Sequence, residues 1–146
     1  MKTARMFALT IIMLTLAVTA SAQTNGWGLG AGVFDSDFAI DLRKDFHLGG
    51  DVSQITGQAG IFTAYKTTFR LQADYHWLIS ASEGGTSRFY PLAGLSFAFN
   101  SDTAKFGLNL GGGFNFMLTD KMAAFAELKY TISDWDGLGI MGGIYF

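Results

Sequence analysis

The chain has 146 residues, room for one domain, and a formal charge of −2 at pH 7. It has no cysteine, which excludes disulfide staples, cysteine-ligated zinc, a thiol nucleophile and an N-terminal lipid on cysteine. The slight acidity leaves no basic patch of the kind that nucleic acid requires.

The first element is a targeting segment. Lys2 and Arg5 supply a positive start, Phe7 to Ala20 is mostly apolar, and Ala20-Ser21-Ala22 has the small-x-small form of a cleavage site. The expectation is a signal peptide over residues 1–22, cut between Ala22 and Gln23, and a single mature domain over 23–146. A membrane-anchoring helix is the competing reading, but the apolar stretch is short for a span. Without Lys2 and Arg5 the mature chain carries eight Lys plus Arg against twelve Asp plus Glu, a charge of −4.

Strand-like alternation then recurs, with turn signals between. Gly26 to Phe34 sets Trp27, Leu29, Ala31 and Val33 against Gly28, Gly30 and Gly32, and Asp35-Ser36 is a tight turn. Asp37 to Arg43 sets Phe38, Ile40 and Leu42 against Ala39, Asp41 and Arg43, with Lys44-Asp45 as the next turn. Phe46 to about Thr56 is a weaker strand, with His47 and Asp51 on its polar face. Gly57 to Lys66 reads as a loop or as an extension of its neighbours. Thr67 to Ile79 alternates most clearly: Phe69, Leu71, Ala73, Tyr75, Trp77 and Ile79 against Thr68, Arg70, Gln72, Asp74 and His76. Ser80 to Arg88 is a polar loop, and Phe89 to Asn100 the next strand. Lys105 to Leu118, "KFGLNLGGGFNFML", places Phe, Leu, Leu, Gly, Phe, Phe and Leu on one face from Phe106 onward. Its other face is Gly, Asn, Gly, Gly, Asn and Met. Met122 to Ser133 and Leu138 to Phe146 complete the set, after turns at Thr119 to Lys121 and Asp134 to Asp136.

Eight strands are an even number, and most match the ~9–11 residues of a tilted transmembrane strand. Two all-β architectures fit: a soluble lipid-binding barrel with its apolar face inward, and a membrane barrel with that face outward. The small face decides between them. A solvated surface is rich in Lys and Glu, whereas this face is Gly, Ala, Ser and Asn with isolated charges. Small residues suit a narrow lumen, since eight strands enclose only enough space for side chains. The large-face aromatics Trp27, Phe38, Phe69, Tyr75, Trp77, Phe89, Phe106, Phe116, Tyr130 and Phe146 fall mostly near strand ends, as in the aromatic girdles of membrane barrels. The expected fold is an eight-stranded antiparallel up-and-down transmembrane β-barrel.

The motifs "YPLAGL" (Tyr90 to Leu95), "KFGLNLGGGFNFML" (Lys105 to Leu118), "TDKMAAFAELKYTIS" (Thr119 to Ser133) and "MGGIYF" (Met141 to Phe146) resemble the small outer-membrane barrel proteins of Gram-negative bacteria, of the OmpA-barrel, OmpX and opacity-protein type. The resemblance covers essentially the whole mature chain. It implies location in the outer membrane among lipid and lipopolysaccharide, a monomer, and termini in the periplasm. It also implies that the terminal Tyr145 and Phe146 act as the signal read by the barrel-assembly machinery. Two departures stand out: no peptidoglycan-binding domain follows Phe146, and the loops are short.

The lumen face collects Asp41, Arg43, His47, Asp51, Arg70, Gln72, Asp74, His76, Asn109, Asn115, Glu127 and Lys129, with mixed signs. Charges enclosed in a narrow barrel must pair. The expected network is Asp41, Arg43, Arg70, Asp74, His76, Glu127 and Lys129, with pairing of the Arg70–Glu127 or Lys129–Asp74 type across the axis. No catalytic, cofactor or metal site is expected. The nearest catalytic constellation is His76 with Ser80 and Glu127, but Glu127 sits on a remote strand and Ser80 near a turn. The two histidines lack metal-ligand spacing. The functional expectation is a non-enzymatic structural or surface-interaction barrel with a plugged polar lumen. A narrow porin-like channel and a soluble lipid-binding barrel are the alternatives.

Overall fold

The computed structural model describes residues 26–48, 52–63, 66–84, 86–134 and 136–146. The signal segment, the Ala22/Gln23 cleavage site and Asp51 lie outside the described residues. Eight long strands and one two-residue strand form the fold: β1 (Trp27–Phe34), β2 (Asp37–His47), β3 (Ser53–Thr63), β4 (Thr67–Trp77), β5 (Ile79–Ser80), β6 (Ser87–Phe99), β7 (Ala104–Thr119), β8 (Met122–Ser133) and β9 (Gly137–Tyr145). Every pairing is antiparallel, and the sheet closes where β1 pairs with β9 and β4 with β6. The short β5 continues the line of β4 along β6, with Ile79 opposite Phe89. Closure pairs the long strands on both sides and so removes the edges at which an open sheet would aggregate.

The eight long strands match the sequence pattern in number, but boundaries differ: β4 stops at Trp77 short of Ile79, Ser80 and Ser87-Arg88 are strand rather than loop, and the largest change is at β2. Lys44-Asp45 is no turn: β2 runs on to His47, with Lys44 opposite Gly57 and Asp45 opposite Thr56. The third strand is accordingly Ser53–Thr63 rather than Phe46 to Thr56, and most of the ambiguous Gly57 to Lys66 segment is strand. Turn-favouring residues lost here to ladder hydrogen bonds and to a lumen that gives Asp45 a partner. Asp35-Ser36 is a true two-residue turn, with φ of +47° and +76°. That is the backbone of a hairpin turn twisted to match its strands.

Orientation follows from exposure. Leu95, Leu108, Leu110, Leu128 and Ile140 stand half or more exposed, while Arg43, Asp74, His76 and Asn109 are fully buried. The barrel is therefore inside out, and the soluble alternative with an apolar cavity is overturned. Exposed aromatics gather at both ends. Trp27, Phe46, Trp77, Phe89 and Phe116 ring the end that bears the termini. Phe38, Phe69, Phe106 and Tyr130 ring the opposite end, where Phe97 packs on Phe106 with centroids 4.7 Å apart. At that same end Lys66 pairs with Asp102 and ties two loops together, and its hydrogen bond holds the Asp102 carboxyl below the usual range.

The lumen is not purely polar. Phe34, Ala39, Phe62, Phe125, Met141 and Tyr145 form an apolar cluster inside it. Two inward glycines show why the small face is needed. An added Cβ at Gly94 would meet Asp74 Oδ1 at 2.2 Å and the Ala73 carbonyl at 2.3 Å, and one at Gly113 would meet the Tyr90 ring at 2.4 Å. Each glycine seats a large side chain from the neighbouring strand.

Candidate functional site

The lumen charges are built from i, i+2 pairs, because alternate residues of one strand share a face. Asp41 and Arg43 stand on β2, and Glu127 and Lys129 on β8. Arg43 Nη2 donates to Asp41 Oδ2 at 2.7 Å and Nε donates to Asp41 Oδ1 at 3.3 Å, a bidentate grip. Its Nη1 reaches Glu127 Oε2 at 3.3 Å. Glu127 Oε2 also accepts from the Tyr90 hydroxyl at 3.1 Å. Lys129 Nζ lies 3.2 Å from Glu127 Oε1, at ion-pair distance but without hydrogen-bond alignment, and donates to Asp74 Oδ2 at 2.6 Å. One chain of opposite charges thus runs Asp41–Arg43–Glu127–Lys129–Asp74 across the barrel.

Amides and hydroxyls complete it. Gln58 Nε2 and Asn109 Nδ2 donate to the two oxygens of Asp74, at 3.0 and 2.7 Å. Gln58 Oε1 accepts from Lys129 and Gln72, and Asn109 Oδ1 accepts from Thr131. Nearer the termini, Asp45 Oδ1 accepts from Thr56 at 2.6 Å and from Tyr145 at 3.3 Å. His76 Nδ1 lies 3.3 Å from both Gln54 Nε2 and Thr56 Oγ1. The Thr56 hydrogen is spent on Asp45, so Nδ1 either donates to Thr56 or accepts from Gln54, and in each tautomer Nε2 keeps no protein partner. The ring stacks on Tyr90, with centroids 4.3 Å apart and planes 9° apart.

All seven expected network residues point into the lumen. The Lys129–Asp74 pairing forms; the Arg70–Glu127 pairing does not. Glu127 is taken by Arg43 and Lys129, and Arg70 instead lies over the rings of Phe34 at 4.5 Å and Phe62 at 5.5 Å. His47 is exposed at the rim rather than enclosed. It borders a cavity of about 220 Å³ at the terminus-bearing end, with Asp45, Gln54, Arg88, Asn115 and Tyr145. Ser80 is exposed and apart from the lumen groups that surround His76. Phe146 donates its backbone N–H to the Trp27 carbonyl at 2.8 Å, which fastens the last residue to the first strand.

Sequence reasoning missed Asp45, Gln54, Thr56, Gln58 and Tyr90. The signal for four of them was present: Asp41, Arg43 and Asp45 keep the period of two, as do Gln54, Thr56 and Gln58. Tyr90 shares the parity of Gly94 and Ser96, an aromatic ring among small residues.

No protein-family model matches the chain, and no curated protein matches it by sequence. Solved structures do. The N-terminal β-barrel domain of OprF from Pseudomonas aeruginosa is similar with a TM-score of 0.67 at 18% identity, over 84% of this chain and 96% of that one. Neisserial surface protein A gives 0.63 at 12% identity, over 82% and 93%. The outer membrane enzyme PagL gives 0.51 at 13% identity, over 82% and 97%. These likenesses show the fold of a small eight-stranded outer-membrane barrel. They do not separate an enzyme from a structural protein, because function resides in sites placed on a fold.

Proposed function

We propose that the chain is a non-enzymatic outer-membrane barrel whose lumen is shut by an ion-paired plug, and that it serves a structural or surface-interaction role. The observation that carries this reading is the continuous chain from Asp41 to Asp74, whose five charged side chains are each at most 5% exposed. Opposite charges in contact close a narrow barrel, whereas an open pore needs a hydrated wall. The apolar belt between two aromatic rims suits contact with lipid and lipopolysaccharide. Phe146, held at the seam where β1 meets β9, suits a terminal segment engaged by the assembly machinery during insertion.

The non-enzymatic part rests on access. His76 is fully buried, the hydroxyl within hydrogen-bond distance of its ring is that of Thr56, and that residue is fully buried too, with its hydrogen committed to Asp45. A nucleophile must present its oxygen to a substrate, and neither group faces lipid or water.

A second reading, a narrow channel, is favoured by the 220 Å³ cavity, which extends the aqueous phase into the barrel from one end. Planar-bilayer recording tests both. Folded wild-type protein should be silent, and Glu127→Ala, which frees space between Arg43 and Lys129, should conduct. Stable large conductance from the folded wild type overturns the plug and promotes the channel.

A further inference from the structure

The buried charges Asp41, Asp74 and Glu127 are matched in number by Arg43, Arg70 and Lys129. Asp45 is a further carboxylate on the lumen face of β2, at the wall of the cavity of about 220 Å³. Its Oδ1 accepts from the neutral hydroxyls of Thr56 and Tyr145. Among the described residues no cation stands within ion-pair distance of it. Arg43 and His47 act on it from further away, and Lys44 lies over the outward Trp27 ring. Arg88 borders the same cavity from β6, opposite Asn115, and makes no ion pair with Asp45. Asn115 Oδ1, on that wall too, is buried without a donor. A carboxylate drawn into the interior favours a cation beside it.

The chain enters the barrel at this carboxylate. Gly26 borders the cavity, and its carbonyl accepts from the Asp45 N–H at 2.8 Å. Its φ is +53°, and a Cβ there would lie 2.8 Å from Asp45 Cβ, so the entering backbone is packed against Asp45. Cleavage between Ala22 and Gln23 leaves three residues ahead of Gly26. Fully extended they reach about 11 Å, which confines the new α-ammonium to the neighbourhood of the mouth. A tether that short gives an effective concentration in about the millimolar range. An ammonium carries three N–H donors and no acceptor, and donors are what Asp45 and Asn115 lack.

We propose that the α-ammonium created by signal cleavage folds back into this cavity and pairs with Asp45, so that the mature N-terminus seals the plug at the terminus-bearing end. The inference rests on the cleavage between Ala22 and Gln23 and deepens the reading of a closed lumen. While the signal segment is attached, position 23 is an amide and supplies no charge, so processing and sealing are coupled.

The test uses mature protein extracted from the outer membrane and kept folded in zwitterionic detergent. Intact mass should show a chain that begins at Gln23 with a free amine. A different first residue overturns the cleavage reading and the proposal with it. A Gln23 lighter by one ammonia has cyclised, carries no ammonium and overturns the pairing alone. A water-soluble carbodiimide then joins touching amine and carboxylate as an amide, taking up the water that the bond releases. Peptide mapping should find Gln23 nitrogen joined to Asp45 in the folded barrel, and the product should be absent from unfolded protein and from Asp45→Asn. If Asp45→Asn fails to fold, titration decides on wild type alone: the α-amine, followed by NMR after ¹³C-dimethylation, should titrate above its ordinary range of about 7.7–8.0, since a neighbouring carboxylate favours the charged form. A value within the ordinary range overturns the proposal. Gln23 joined to another carboxylate overturns the assignment to Asp45. Asp45 coupled to added methylamine while Gln23 stays free shows a cavity open to free amines, and overturns docking of the terminus.

Discussion

Lys129→Met tests the plug most directly, because the ammonium bridges both halves of the charge chain. Its Nζ stands 2.6 Å from Asp74 Oδ2, 3.2 Å from Glu127 Oε1 and 3.1 Å from Gln58 Oε1, with the residue 3% exposed. At an effective dielectric near 20, unit charges at the Asp74 separation attract by on the order of 6 kcal/mol before desolvation is subtracted. Methionine fills much of the same volume, so the loss is electrostatic. Glu127 would keep Arg43 and Tyr90, but Asp74 would keep as hydrogen-bond donors only the neutral amides of Gln58 and Asn109, with Arg70 acting on it without direct contact. Removing one partner of a buried pair costs about 3–5 kcal/mol, and the variant should lose that much. Urea unfolding from detergent micelles or liposomes, followed by tryptophan fluorescence and by the gel shift between unboiled and boiled protein, gives the number. Asp74→Asn added to Lys129→Met should recover part of it, with a coupling of about 1–3 kcal/mol, as expected for residues in direct contact. A Lys129→Met barrel within about 0.5 kcal/mol of wild type, the range of an ordinary surface substitution, would refute the reasoning.

Leu110, half exposed in the apolar belt, should not accept charge. Leu110→Arg should cost about 2–4 kcal/mol of membrane folding if the residue lies near the midplane, and cysteine labelling from within the bilayer should modify position 110 and spare 109. Asn109→Ala removes the donor to Asp74 Oδ1 and the acceptor of Thr131, and should cost about 1–3 kcal/mol by the same unfolding measurement. Gly94→Ala should destabilise by about 1–3 kcal/mol, since its methyl group would overlap the Ala73 carbonyl and Asp74; an unchanged urea midpoint would contradict the seating role. Deleting Phe146 should lower the amount of folded barrel in the outer membrane, read by fractionation, and normal levels would remove the residue from assembly.

Much of this molecule was legible as a one-dimensional pattern. Strand periodicity is a local property: Phe69 to Ile79 alternates with Thr68 to His76 whatever lies beside it, so strand existence, face and inside-out sense could all be read. The small face told of a narrow lumen for the same reason, since Gly94 and Gly113 are small where a neighbour is large. Tertiary structure decided where β2 ends and which charges meet. Lys44-Asp45 has turn chemistry, and only the β3 ladder with the hydroxyls of Thr56 and Tyr145 makes it strand. Partner choice depends on register around a closed sheet, and a pattern of period two fixes the face of a residue without its height. Arg70 and Glu127 share the lumen, yet the register brings Arg43 and Lys129 to Glu127 and leaves Arg70 against Phe34 and Phe62.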